Sequence, residues 1–354
     1  MPRNRSTKFK RASLLVSAVV VLGGMVSPHL AAAQSTATGR LHLTTSPLPI
    51  SLKAKPGETI GTELRIRNSG AATEKLKVGL MKFSAIGEEG KPRLEERAPG
   101  DEYFDWVKFS KTQFQAPTNE WQTVKMTITL PKTAAFGYYY AVTFSRANTE
   151  TADGSLEAAV RGGSATLVLL EADVPGAKRQ VSVQEFATSK RTYEFLPARF
   201  AIKLHNSGNI HTAPTGTIFI NKGGRQVATI PVNQTTGNIL PDSSRTFAAE
   251  WTEGFPAYRV KEEDGQVVLK DGEPAYELKW DVSQAKYLRF GKYTATLVMV
   301  YDDGTRDVPI EATVSFWVIP WRLIGVGLVI VVFVGIGLWS TVRKILAKVR
   351  KVKP

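Results

Sequence analysis

The residue types that most often carry chemistry are sparse in this chain and badly spaced for it. Four histidines occur: His29, His42, His205 and His211. Only the last two are near each other, bracketing Asn206-Ser207-Gly208-Asn209. A zinc site needs at least three protein ligands, and no third stands beside them. The pair therefore reads as solvated turn residues. Acids gather at Asp101, Glu102 and Asp105, and again at Asp302 and Asp303. A glycosidase sets two carboxylates facing each other across a cleft, which neighbouring loop acids do not supply; loose calcium binding is their other use. No Gly-x-Ser-x-Gly elbow, phosphate loop or His-Glu-x-x-His stretch is present. The chain has no cysteine, which removes thiol nucleophiles, thiolate metal sites and disulfides. The expectation is a protein that is not an enzyme, with no catalytic residue, cofactor or metal.

Aromatic side chains leave a binding role open. Tyr138 and Tyr140 fall on one face of an extended segment and Tyr139 on the other. An exposed Tyr139, Trp106 or Trp121 could stack on sugar. Alternatively, Trp106 and Trp121 fill one core while Trp251 and Trp280 fill another.

The elements that would position these residues are framed by the two ends of the chain. Trp321-Arg322 precedes seventeen uncharged residues, Leu323 to Trp339. At about 1.5 Å per residue these give roughly 26 Å of helix, enough to cross a bilayer core. Trp321 and Trp339 stand where an indole prefers the headgroup level, and Arg343, Lys344, Lys348, Arg350, Lys351 and Lys353 follow without an acid. The reading is a transmembrane helix over 321–342 and a basic cytoplasmic tail over 343–354, with the preceding domains outside the cell. At the other end, Arg3, Arg5, Lys8, Lys10 and Arg11 precede an apolar run, Ala12 to Val26, and then Ala31-Ala32-Ala33. That is the layout of a secretory signal peptide over 1–33.

These two ends account for the basic balance. Of 46 Lys and Arg, 5 lie in the first 33 residues and 7 in residues 322–354, leaving 34 bases against all 32 acids in between. The charge reflects targeting and topology, so no nucleic-acid partner is expected. About 288 residues remain for the exported part, enough for two domains that need no disulfides.

Within that part the period is two. Leu64 and Ile66 alternate with Glu63, Arg65 and Arg67; Val124, Met126, Ile128 and Leu130 alternate with Lys125, Thr127 and Thr129; Phe200, Ile202 and Leu204 alternate with Arg199 and Lys203. Such alternation marks half-buried antiparallel strands. The fold class expected is all-β: two tandem immunoglobulin-like β-sandwiches, over 34–172 and 178–318, followed by the single C-terminal helix. A weak repeat supports two copies. Asn68-Ser69-Gly70 and Asn206-Ser207-Gly208 each end a strand, where Asn and Gly tolerate positive φ. Gly137-Tyr138 and Gly291-Lys292-Tyr293 each open a late strand, with Tyr138 and Tyr293 placed to bond back to the preceding corner. Two long insertions, 87–105 and 254–279, are either binding surfaces or solvated hairpins.

Several segments resemble one family. Ser46-Pro47-Leu48-Pro49-Ile50, Lys55-Pro56-Gly57-Glu58-Thr59, Leu64-Arg65-Ile66-Arg67-Asn68, Trp106-Val107-Lys108-Phe109 and Trp121-Gln122-Thr123-Val124 are similar to the first domain of the WxL-interacting proteins of Gram-positive cell surfaces. Gly208-Asn209-Ile210-His211 and Pro214-Thr215-Gly216-Thr217-Ile218 resemble that family's second sandwich. The resemblance implies peptidoglycan or another cell-surface protein as partner, besides the lipid bilayer. The expected function is a membrane-anchored extracellular binding or scaffolding protein. The alternatives are an envelope-glycan hydrolase or accessory carbohydrate-binding protein, and a subunit of a larger membrane assembly.

Overall fold

The computed structural model describes residues 41–147 and 163–352. The signal segment read over 1–33 lies outside the described residues. The protein is two immunoglobulin-like β-sandwiches followed by one long helix.

In sandwich 1, one sheet has the order β1-β3-β8-β6: β1 Leu43–Ser46, β3 Thr59–Asn68, β8 Trp121–Thr129 and β6 Val107–Phe109. The facing sheet has the order β2-β10-β9-β4-β5, with β7 also on β4: β2 Ile50–Ala54, β10 Ser164–Ala172, β9 Phe136–Arg146, β4 Glu74–Ile86, β5 Lys91–Glu95 and β7 Gln113–Ala116. The alternating apolar residues do what their period requires. Leu64, Ile66, Val124, Met126 and Ile128 turn inward and pack against Tyr140, Val142, Phe144, Val168 and Leu170.

Sandwich 2 repeats the plan. β11 Val181–Thr188, β13 Ala198–Asn206 and β16 Ser243–Trp251 form one sheet. The other, in the order β12-β24-β23-β14-β15, contains β12 Thr192–Tyr193, β14 Thr215–Lys222, β15 Arg225–Val232, β23 Gly291–Asp302 and β24 Asp307–Val318. Between β16 and β23 three short pairs stand apart: β17 Ala257–Val260 with β22 Tyr276–Lys279, β18 Glu262–Glu263 with β19 Gln266–Val267, and β20 Leu269–Lys270 with β21 Glu273–Pro274. Its core is built around the Trp251, Tyr293 and Phe316 rings. Both copies open alike. The first strand pairs antiparallel in one sheet (β1 on β3, β11 on β13), then the chain crosses to pair parallel in the other (β2 on β10, β12 on β24). The late tyrosines also match: the Tyr138 and Tyr293 hydroxyls accept from the amides of Ala135 and Phe290, each three residues upstream.

The Asn-Ser-Gly repeat is real, but its mechanism differs from the expected positive-φ turn. None of these residues has positive φ. Asn68 and Asn206 are instead fully buried. Asn68 donates to the carbonyls of Ala72 and Ala116 and accepts from Gly70 N–H. Asn206 donates to Ile210 and Ile239 and accepts from Gly208 N–H. Each carboxamide satisfies three backbone groups at once.

The last strand leads through Ile319-Pro320 into the helix Trp321–Val352. Pro320 precedes the first turn, where its missing N–H costs nothing. Arg322 reaches Glu194 at 3.4 Å and ties the helix start to sandwich 2. The segment Trp321–Leu346 is long and apolar enough to cross a membrane, and none of it is buried against the sandwiches. The helix does not stop at residue 342. It continues through Arg343 and Lys344, because the tail up to Val352 holds no glycine or proline and is rich in good helix formers.

Candidate functional site, an apolar cleft between the sandwiches

Strands β4, β9 and β10 are apolar on both faces. Their outward residues Met81, Phe83, Ala141, Leu167 and Leu169 gather with Leu94, Tyr139 and Leu240, the last from sandwich 2, into a third cluster separate from both cores. The signal for this was in the sequence. Leu167-Val168-Leu169-Leu170 does not alternate, and a strand apolar on both faces is covered on both faces.

Polar contacts fix the seam around this cluster. Arg179 pairs with the buried Glu171 of β10, which also meets Lys53 at 3.5 Å. Asn209 accepts from Lys178 N–H at 2.7 Å and donates to the Gly176 carbonyl at 3.0 Å. A Cβ at Gly208 would collide with the Lys178–Arg179 backbone, so only glycine allows this approach. Tyr139 lies edge-on to His211 at 5.7 Å, and its hydroxyl accepts from the His211 amide at 3.2 Å. Burial pushes the Tyr139 phenol above its ordinary range, and burial pulls the His211 imidazole down to about 4.

A second clasp comes from the tip of the β4–β5 hairpin. The Glu88 carbonyl accepts from Thr246 N–H at 2.6 Å, and its carboxylate pairs with Lys203 at 2.6 Å. Between clasp and seam lies a cleft of about 440 Å³. Its walls are Leu48, Phe83, Leu94, Leu167 and Leu169 of sandwich 1 and Thr235–Leu240 with Arg245 of sandwich 2. No carboxylate lines it. Arg245 is the one charged group besides Lys91. Its guanidinium lies 5.2 Å from the Phe247 ring centre and donates to the Asn238 carbonyl at 2.8 Å, while its Nε–H is buried and unpartnered. Burial lowers its pKa from the ordinary arginine value, yet it stays charged at any physiological pH. Gly90, at positive φ, leaves room for it; a Cβ there would strike the guanidinium. The cleft thus offers apolar volume with one cationic donor short of an acceptor.

The residues singled out by sequence scatter around this cleft. Tyr139 lines the seam, packed between Phe83 and His211. Trp106 is half-buried against Tyr138, and Trp121 is largely exposed under the Arg67 guanidinium. Trp251 sits in the second core, but Trp280 is exposed, because the loop carrying it leaves the sheet edge. His211 is buried rather than solvated, and His205 bonds Ser244 instead of sharing a metal with it. Among the described residues no cluster of three metal ligands occurs. Asp101, Asp105, Asp302 and Asp303 have structural partners. The Ala98 amide and then Lys82 hold the Asp101 carboxyl below its usual range; Arg97 does so for Asp105, and Thr305 for Asp303. The insertions part company as well. The first clasps Thr246, while the second forms a hairpin arm, Ala257–Val260 on Tyr276–Lys279, at the other end of sandwich 2, where Tyr276 lies under Arg199. They form no joint patch. What sequence reasoning missed is the cleft itself and Arg245.

No family model matches the chain, and no curated protein matches it. Solved structures similar to it include the class 5 fimbriae chaperone CfaA, at 13% identity and a TM-score of 0.34, covering 79% of this chain and 100% of that one. The CsuC–CsuE chaperone–tip adhesion subunit pre-assembly complex of Acinetobacter baumannii Csu pili is similar at 11% identity and a TM-score of 0.34, covering 76% and 97%. The Escherichia coli chaperone DraB is similar at 11% and 0.32, covering 77% and 96%. At these values the likeness assigns no role to this chain. The resemblance to WxL-interacting proteins is not upheld: no family model matches, and the similar solved structures include fimbrial chaperones instead. The motifs behind that resemblance have general sandwich roles. Glu58 caps the Lys55 amide, Gly57 N–H meets the Leu130 carbonyl, and Asn68 closes its turn.

Proposed function

We propose that this chain is a membrane-anchored, non-enzymatic binding protein whose two sandwiches take an apolar segment of a partner protein into the cleft between them. The observation that carries the reading is the cleft: a wall of leucines and Phe83 from sandwich 1 faces the Thr235–Leu240 segment of sandwich 2, no carboxylate lines it, and the charged Arg245 on its wall keeps a buried, unpartnered Nε–H. The structural use of the acid clusters supports a binding role over hydrolysis. The apolar helix supports the anchor. The basic residues after it support a cytoplasmic C-terminus, with both sandwiches outside the cell membrane.

Photo-crosslinking in membranes of expressing cells tests this. Benzoylphenylalanine placed at Leu48, on the cleft wall, is expected to yield a discrete protein adduct, and at Glu120, in the turn before β8, none. The adduct should be lost when Leu94→Asp is added, a charge against the apolar wall. Equal adducts at both positions, or none at either, would sink the reading. An adduct with glycan at Leu48 would favour the carbohydrate-binding alternative.

A further inference from the structure

Sandwich 2 exposes large apolar side chains where the helix leaves it. Between positions 280 and 290, Trp280 is 56% exposed, Val282 75%, Leu288 53% and Phe290 52%. The segment leads from the second insertion's arm into β23 and is held in place rather than loose. Asp281 caps the 3₁₀ turn Val282–Tyr287 through the Ser283 amide, and Phe255 N–H bonds to the Tyr287 carbonyl at 3.1 Å. Arg289 turns inward over Trp251 and donates to the Glu253 carbonyl. Rigid anchoring of greasy residues in water is a cost unless something covers them.

Register says what lies beside them. Phe290 precedes Gly291, which pairs with Val318, three residues before the helix begins at Trp321. The next pair sets Lys292 opposite Trp317, itself 46% exposed. Sandwich 1 meets the opposite end of sandwich 2, near the Asn206 end of β13. Lys286, over the Tyr287 ring, and Lys292 add positive charge, with Asp281 committed to its cap. Aromatic and aliphatic residues with lysines, level with the start of a membrane-length apolar helix, match the chemistry of a lipid headgroup–acyl boundary.

We propose that the loop Trp280–Phe290 is a second membrane contact, a collar that dips into the outer bilayer surface and holds sandwich 2 against it. This rests on the reading that the helix spans the membrane. Its consequence is mechanical: with helix and collar both engaged, the ectodomain stands at a fixed tilt and the cleft at a fixed height above the lipid.

The absence of native cysteine makes the test direct. Single cysteines at Val282, Leu288, Val329 and Glu120 of the full-length chain are spin-labelled in phosphatidylcholine–phosphatidylglycerol nanodiscs. Depth is read from the ratio of oxygen to nickel-chelate collision rates. Val282 and Leu288 are exposed, so labelling them leaves the core intact, and unchanged circular dichroism checks this. The expected result is Val329 near the bilayer centre, Val282 and Leu288 about 5–10 Å into the boundary, and Glu120 in water. Aqueous ratios at both 282 and 288 with Val329 deep would overturn the collar and leave the span standing. Low collision with both reagents at 282 and 288 would mean a protein partner or a second copy covers the loop, and would also overturn it. An aqueous Val329 would sink the spanning helix and the collar together.

Discussion

Replacing Asn206 with alanine is expected to destabilise sandwich 2 by about 3–5 kcal/mol. The carboxamide is wholly buried and serves Ile210 O, Ile239 O and Gly208 N–H at 2.8, 3.0 and 2.9 Å. Alanine fills none of these roles; Ile239 O keeps its bond from Thr212 N–H, but Ile210 O and Gly208 N–H lose their partner at about 1–3 kcal/mol each. Asn68→Ala should do the same to sandwich 1, where Ala72 O, Ala116 O and Gly70 N–H are served alike. Asn233 provides the internal control. It bonds Pro214 O, Gly237 O and Gly237 N–H in a similar pattern, but it is only half-buried, so water can replace it. Its alanine variant should lose about 2 kcal/mol, about half of it the cost of holding alanine at the left-handed φ of 54°. Urea titration of the full chain in detergent, followed by tryptophan fluorescence, measures all three. Equal losses for Asn206 and Asn233 would show that burial is not what makes the repeat matter.

Acid should weaken the protein through His211 before the carboxylates titrate. Its pKa is lowered to about 4 chiefly by burial, with Glu171 pulling it up and Arg179 pushing it down. An unfolded histidine titrates near 6.5. Above that pH both states are neutral and stability is at its full value. Between about 6.5 and 4 the unfolded chain binds a proton that the folded one refuses, so stability falls with pH. At about 1.4 kcal/mol per unit the loss is at most about 3 kcal/mol. The groups facing His211 are the Tyr139 phenol and the Arg179–Glu171–Lys53 cluster. Because His211 sits on the seam, the loss should appear as parting of the sandwiches. The expected signature is a urea midpoint that drops between pH 7 and pH 5 in the native chain and stays flat in His211→Phe, which keeps a ring beside Tyr139. Parallel drops in both would assign the acid sensitivity elsewhere.

Period-two alternation made the strands legible, and the uncharged run from Leu323 to Trp339 made the helix legible, because burial and solvation act on each residue through its immediate neighbours. The same local logic misread what depends on distant groups. Asn68 looked like a residue chosen for positive φ; its amide in fact reaches a carbonyl 48 residues away, which no local pattern reveals. His211 looked solvated until the Tyr139 ring of the other sandwich was set against it. Trp251 and Trp280 looked alike, yet one fills a core and the other faces outward at the helix end.

By itself the sequence determined two β-sandwiches without disulfides and an apolar helix after them. Those features follow from hydrophobic periodicity, composition and charge, which need no partner to take effect. Only the tertiary structure decided that the outer face of β4, β9 and β10 would meet sandwich 2, that a glycine-lined approach would trap Arg245 beside an apolar cleft, and that the Trp280 loop would lie level with the helix. Those outcomes depend on side chains far apart in the chain arriving within a few ångströms of each other. That distance is fixed by how two sheets stack, and it is absent from any single stretch of residues.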